Sequence, residues 1–529
     1  MTERPRVFVR EATGLVRNIS IMDSSLACLG AVNIAVGLIT FTTGPFIFPG
    51  SDLVTGTILA TILCLPLAAM YTLYGAAMPR SGGDYVFVSR VIHPALGFME
   101  AFNFQTWSLF FASFAVNFAL TLALAPSLLI VGVVTSNQSL VNLSNALSQP
   151  QYVLAIGLVL VAIFTAILLR GVRATFTLID AFVVVAILGL LLVIGVMATS
   201  SRATFISGIS RFATYDNITA TAHNLGYSTQ GPNPLLATLG IMPFVFFTTG
   251  FANTTTYYAG EIKSVKKNLF YSQVIVTVVS GIILAIIAAQ TVNLFGYDFL
   301  GSISYLQGTG ASQYPFGSLP PYLNLFVSLL TSSTPLLWLL AIGYIAAQFA
   351  PILPVLMVVS RTIFAWSFDG IIPSKFASVN DRLHVPVFAI VIMNILWTVT
   401  FVIYTYASSY FVALVSGAGL AELISLIIIA IAAIIFPFRR KDLYESSPAR
   451  ISIGGVPLIS ITGVLSLFFF LLMGYFFLTN SLYGANTPTM YEAIVVTFLV
   501  PAIIYAVSHY YHKSKGLNLS LAFKQIPPE

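Results

Sequence analysis

Charge is what this 529-residue chain has least of: Asp, Glu, Lys and Arg make up 8% of it, against 58% hydrophobic residues and a mean hydropathy of +0.94. A soluble chain carries roughly 25% charged residues, so a water-soluble globular fold is excluded and a polytopic membrane protein is indicated. Cysteine is almost absent. Cys28 and Cys64 lie inside apolar runs with no CxxC and no neighbouring histidine, which excludes a disulfide framework and a metal site. The five histidines, His93, His223, His384, His509 and His512, fall in loops or near the ends of apolar runs. With no HExxH and no paired intramembrane carboxylate, an enzyme is not expected, and neither is a cofactor. A cleavable leader is not expected either, because fairly polar residues precede a first apolar run longer than a signal-peptide core.

What is present is apolar length. Stretches of the ~20 residues that a helix needs to cross the hydrocarbon core begin near Leu26, Leu53, Ala95, Tyr152, Ala174, Ala237, Tyr271, Pro335, Val387, Tyr410, Leu458 and Tyr491, predicting twelve transmembrane helices. With the N-terminus in the cytoplasm, all but Arg202 and Arg211 of the 23 Lys and Arg fall on the inner side, as the positive-inside rule requires. Both termini are therefore expected to be cytoplasmic, in a cell membrane whose lipids are the chain's surroundings. The net charge of +6 then needs no nucleic-acid partner. The outer segments Thr135 to Gln151, Ser200 to Pro234 and Thr291 to Tyr322 are long and nearly uncharged, and Asn137, Asn142 and Asn217 open sequons there. The last is long enough to fold over a solute entrance or to be an ordinary packed loop.

The tetrapeptide FTTG occurs twice inside predicted spans, at Phe41, Thr42, Thr43, Gly44 and at Phe247, Thr248, Thr249, Gly250. Spans interrupted by small polar residues at matching places in two halves point to a transporter binding site, since backbone freed at bilayer depth must line a cavity or be satisfied by protein. The first copy runs from inside to outside and the second from outside to inside, so the halves are inverted. Unwinding at both would bring helix N-termini and C-termini together, poles suited to the carboxylate and ammonium of a zwitterion. The alternative is that Thr and Gly serve close packing between helices.

Three further segments carry a resemblance. PRSGGDYVFVSRVIHPALGF (Pro79 to Phe98), AGEIKSVKKN (Ala259 to Asn268) and SRTIFAWSFDGIIPSKFASVNDRLHVPV (Ser360 to Val387) fall in order on predicted cytoplasmic loops. Together with the spans between them, from about Asp23 to Arg440, they resemble the amino acid/polyamine/organocation (APC) permeases. The resemblance implies an all-α fold of the inverted-repeat (LeuT-like) type: five plus five helices with helices 1 and 6 broken, plus two C-terminal helices. The corresponding parts are residues 1–25 (N-terminal segment), 26–200 (first repeat), 201–235 (external loop), 236–440 (second repeat), 441–512 (last two helices) and 513–529 (C-terminal segment). It also implies that the broken first helix offers N–H groups to a substrate carboxylate. Pro45 lacks one, so it is expected to start an outer half-helix while the Thr42 and Thr43 hydroxyls supplement the backbone. Phe246 or Phe247 is expected as an aromatic gate.

Ionisable residues within the spans are few: Glu100, Asp180 and Glu422. They are candidates for proton coupling, with snorkelling or pairing at the inner face an alternative for Asp180. The lysine that some APC members carry in the fifth span is absent from Phe182 to Leu188, and Ala346 to Val359 offers only Gln348 as a polar side chain, which disfavours a sodium site of the kind known for this fold. Arg80, Arg90 and Arg361 either anchor the inner membrane face or pair with Asp84, Glu261 or Asp369 as gates. Neither FTTG has a charged neighbour, which favours a neutral, apolar amino acid as substrate. The expected activity is secondary active, proton-coupled amino acid transport by alternating access. An amino acid or amine exchanger and a non-transporting sensor of the same fold are the alternatives.

Overall fold

The computed structural model describes residues 15–524 except Asn33, Ser318, Asp381 and Ala407, with the backbone alone described at 35–37, Phe247, 408–416, Leu482 and Ser520. Arg4, Arg6 and Arg10, counted on the basic side by sequence, lie outside these residues.

The chain opens with two short apolar helices, α1 (Ile21–Val32) and α2 (Ile34–Ile47). Ser20 and Asp23 cap α1 reciprocally, the Ser20 amide donating to the Asp23 carboxylate (2.9 Å) and the Asp23 amide to the Ser20 hydroxyl (3.2 Å). Helix α3 (Leu53–Ala77) follows, its first amides capped by Asp52. A Gly82–Gly83 turn leads into α4 (Asp84–Val91), then into the long α5 (Pro94–Val134). Next come α6 (Pro150–Leu169), α7 (Val172–Thr199), α8 (Pro234–Gly240) and α9 (Met242–Thr249). A 3₁₀ segment, Gly250–Tyr257, separates α9 from α10 (Val265–Phe295). The remainder is α11 (Tyr297–Gly308), α12 (Thr334–Phe349), α13 (Ile352–Phe368), α14 (Val387–Tyr406), α15 (Ser408–Arg439), α16 (Leu458–Thr479) and α17 (Pro488–Ser514).

Among the described residues, eleven stretches of helix are long and apolar enough to cross a membrane, and α1 with α2 stand where the remaining expected span begins. This is a polytopic all-α membrane protein. Its helices sort into inner and outer ones by what surrounds them. All of α13 from Ile352 to Ser367 is buried, as expected of a helix apolar on every side. The best apolar windows of α7 and α17 are only 17% buried, and both expose Leu, Ile and Val side chains such as Leu188, Leu191, Ile503 and Val507. Such surface is stable against lipid and not against water.

The long segments expected on the outer side contain regular structure. Helices Gln138–Leu147, Arg202–Ile209 and Tyr215–Asn224 form within two of them, and α11 lies within Thr291 to Tyr322 and packs on α2. Helix distortions have identifiable causes. In α5 the residues Ala119–Leu124 form a π-turn just before Pro126. Proline has no N–H for the Leu122 carbonyl four residues back, and the Asn324 amide donates to it instead (3.4 Å).

Candidate functional site

The two FTTG copies are structurally unlike each other. The first lies inside α2, which is helical from Ile34 through Gly44 and Pro45 to Ile47. The Thr42 and Thr43 hydroxyls both donate to the Ile39 carbonyl (2.9 and 3.0 Å). A Cβ on Gly44 would stand 2.9 Å from the Ile241 side chain and 3.0 Å from that of Leu53. This copy is a close-packing surface, and the expectation that α2 begins at Pro45 is corrected: Pro45 sits within its last turn. Phe41 is fully buried and, like Thr42, Thr43, Gly44 and Pro45, does not line the cavity described below.

The second copy does mark an interruption. The α-geometry of α9 ends at Thr249 and 3₁₀ geometry begins at Gly250. Thr249 donates to the Val245 carbonyl (3.1 Å) and to the Cys64 sulfur (3.2 Å), while the Thr248 hydroxyl is buried without a partner among the described residues. Phe246 packs edge-on against Phe469 and Phe470 of α16 and does not line the cavity, against the gate expectation. The Phe247 side chain lies outside the described residues.

The polar run Asn253-Thr254-Thr255-Thr256, not the FTTG, forms the heart of the break. Its residues are buried, and neighbouring elements satisfy Thr255 and Thr256. The Gln273 amide, on a π-turn of α10 (Phe270–Ile275), donates to the Thr255 hydroxyl (3.0 Å) and to that of Thr256, while Thr72 of α3 donates back to the Gln273 oxygen (3.0 Å). Ser272 bonds Thr255 (3.1 Å), and the Cys28 thiol of α1 donates to the Ala252 carbonyl (3.3 Å). Both cysteines of the chain thus touch the break.

Against this segment lies a small cavity of about 20 Å³, room for about one water. Because 3₁₀ geometry has three residues per turn, Phe251, Thr254 and Tyr257 fall in one row and face it together with Asn253. Helix α5 contributes Phe104, Ser108 and Phe111, one face at helical spacing, and α13 contributes Val355 and Val358. Glu422 of α15 completes the wall, with no ion-pair partner among the described residues. The Asn253 amide nitrogen is buried and unbonded. Of these residues only Glu422 was singled out from sequence; the four-residue polar run inside an apolar span was the available signal for the rest.

Below the cavity, the Tyr257 and Tyr71 hydroxyls both donate to Oδ2 of Asp84 (2.7 and 2.8 Å). Burial pushes the Asp84 carboxyl above the ordinary range, and the two hydroxyls partly offset this. Glu100, one helical turn before Phe104, is fully buried, and neither carboxyl oxygen has a hydrogen-bond partner among the described residues. Asp180 is elsewhere: it is half-buried on α7, facing Asp23 and Arg173, and does not line the cavity.

At the same end of the bundle the gating candidates meet in pairs. Arg361 makes a two-pronged bond to Glu261 (2.7 and 3.0 Å), both side chains buried. Arg90 does the same with Asp369 (2.6 and 2.9 Å), which also accepts from Tyr85 (2.7 Å). Asp84 pairs with tyrosines instead, and Arg80 is half-buried beside the Gly82–Gly83 turn. That turn has φ of +114° and +50°, and the Gly82 amide donates to the Tyr257 carbonyl (2.8 Å). The glycine pair therefore clamps the end of the break as well as turning the chain.

A profile of the amino acid permease family matches residues 21–500. This chain belongs to that family. Among curated proteins no significant match is found. The family places the chain in the APC superfamily, whose members are transporters, so this permease is an amino acid transporter in the general sense. Of the segments that carried the resemblance, Ser360–Val387 meets Ala259–Asn268 in the Arg361–Glu261 pair and Pro79–Phe98 in the Arg90–Asp369 pair.

Proposed function

We propose that this permease carries a neutral amino acid with an apolar side chain, together with a proton, across the cell membrane by alternating access. In this reading α1 and α2 are the two parts of a broken first span, giving twelve spans, and residues 26–200 and 236–440 are the inverted halves. The basic end of the bundle faces the cytoplasm, as the distribution of Lys and Arg supports. The observation that carries the reading is the lining of the small cavity at the break, which must widen to admit a substrate. Its walls of Phe104, Phe111, Phe251, Val355 and Val358 suit an apolar side chain, while Asn253, Thr254 and the polar 3₁₀ backbone suit the amino acid's polar end.

Glu422 supports a second reading. A carboxylate in an otherwise uncharged wall would also hold the ammonium of an amine substrate. Uptake into proteoliposomes separates the two. If the substrate is a neutral amino acid, apolar amino acids exchange in counterflow, and Glu422→Gln changes drive by a pH gradient more than KM. If it is an amine, Glu422→Gln raises KM at least tenfold and apolar amino acids fail to compete. Saturable binding with no flux would overturn both in favour of a sensor.

A further inference from the structure

The proposed function leaves unused a pair of carboxyls beneath the cavity. We propose that Asp84 and Glu100 form one proton-binding site, addressed from the cavity through Tyr257, and that its occupancy sets the hold of the Gly82–Gly83 turn and α4 on the break. The proposal deepens the proton-coupled reading given above.

The geometry is unusual for a merely structural pair. Glu100 is wholly enclosed and, among the described residues, neither of its carboxyl oxygens has a hydrogen-bond partner. Asp84 is equally enclosed, accepts two hydroxyls on Oδ2 and has no partner for Oδ1 among the described residues. Buried carboxylates are normally compensated by a cation or by several donors. Neither has an ion-pair partner among the described residues. Tyr71 of α3 and Tyr257 of the break bond Asp84, Tyr74 is buried one turn after Tyr71 on α3, and Glu100 is buried on α5 one turn before the Phe104 that stacks on Tyr257. From α13 comes Arg361, held by Glu261; Asp369, just after it, is held by Arg90 and Tyr85. Helix α15 presents Glu422 to the cavity and Arg439 to the basic end, α14 presents Tyr404 beside Phe114, and α17 presents Tyr505 and His509 beyond His93. Two like charges in such a place repel strongly. One proton on the pair removes the conflict, and its loss restores it.

Tyr257 connects this site to the substrate. Its ring lines the cavity and stacks on Phe104 (centroids 5.8 Å apart), while its hydroxyl donates to Asp84. Its backbone carbonyl is held by Gly82, next to α4. Helix α4 begins at Asp84 and ends by Arg90, whose pair with Asp369 closes the basic end. A proton leaving the pair sharpens the demand of Asp84 for the Tyr257 hydroxyl and ties the break to α4. A proton binding relaxes it.

The test uses the full-length chain in proteoliposomes containing a pH-sensitive dye, with counterflow and pH-gradient-driven uptake of leucine or phenylalanine measured side by side. If the site is as proposed, Glu100→Gln keeps counterflow within about threefold of wild type but loses internal acidification and acceleration by a proton gradient. Asp84→Asn behaves alike. Tyr257→Phe and Tyr71→Phe each remove a donor to the carboxylate and shift the pH midpoint of uptake upward, by about one unit. Should the carboxyl variants not fold, the tyrosine variants decide alone: an unmoved midpoint overturns the proposal. So does gradient-driven accumulation by Glu100→Gln equal to wild type. Failure of the transport reading is distinct, because the wild type would then show no counterflow at all.

Discussion

At the scale of single residues, the arginine pairs carry the clearest consequences. Arg361 and Glu261 are both buried, so removing one partner leaves an uncompensated charge, which typically costs about 3–5 kcal/mol. Arg361→Gln is expected to lower thermal stability in detergent accordingly, and Arg361→Gln with Glu261→Gln to recover most of it. In transport the double variant should alter rate more than KM, because the pair lies at the basic end of the bundle and does not line the cavity. A KM change equal to the change in kcat would show that the pair supports the binding site itself. Gly83 is a second single-residue case. Its φ of +50° disfavours a side chain, and a Cβ would stand 2.5 Å from the Tyr257 ring. Gly83→Ala is expected to destabilise by about 1–3 kcal/mol and, unlike an ordinary turn substitution, to disturb substrate-induced thermal stabilisation by displacing Tyr257.

At the scale of elements, the spans were legible in the sequence because a membrane helix is specified by apolar length, a property composition reports directly. The location of a break is different. Whether Thr and Gly leave the helix depends on whether neighbours satisfy the freed groups, and that is decided by residues far along the chain. Thr42 and Thr43 have the Ile39 carbonyl and stay helical, whereas the run after Gly250 meets Gln273, Thr72, Ser272 and Cys28. The same four letters therefore pack in one span and open in the other. The charged loops were legible as partners because oppositely charged groups were confined to one end, although sequence did not tell which acid takes which arginine. Cys28 gives the element-scale prediction. Cys28→Ala leaves the Ala252 carbonyl without its side-chain donor, and Cys28→Ser restores one. The alanine variant is expected to lose roughly 1 kcal/mol with weakened substrate binding, read by thermal shift with and without amino acid, and the serine variant to recover both.

At the scale of the whole molecule, the cavity is closed from both ends by interactions of unequal strength. The basic end is held by two buried, two-pronged ion pairs and by backbone bonds from Asn18 and Ile19 to the Glu261 carbonyl (2.9 and 3.0 Å). At the opposite end the bonds onto α2 and the residues after it are neutral and single, Ser304 of α11 to the Thr42 carbonyl (2.8 Å), Tyr227 to the Pro45 carbonyl (3.4 Å) and Tyr297 to the Phe48 carbonyl (3.3 Å), and the His223–Asp298 contact on α11 (2.8 Å) is exposed rather than buried. Hydrogen bonds to charged groups contribute more than neutral ones, so the end capped by α11 should open more readily. In a background with Cys28 and Cys64 replaced by serine, a cysteine at Thr254 is expected to react faster with a membrane-impermeant maleimide from the side capped by α11 than from the basic side. Adding Arg361→Gln and Asp369→Asn should reverse that preference, and adding Ser304→Ala with Tyr227→Phe should strengthen it. Equal labelling from both sides in all three proteins would mean that the ends do not alternate and that the cavity is reached by some other route.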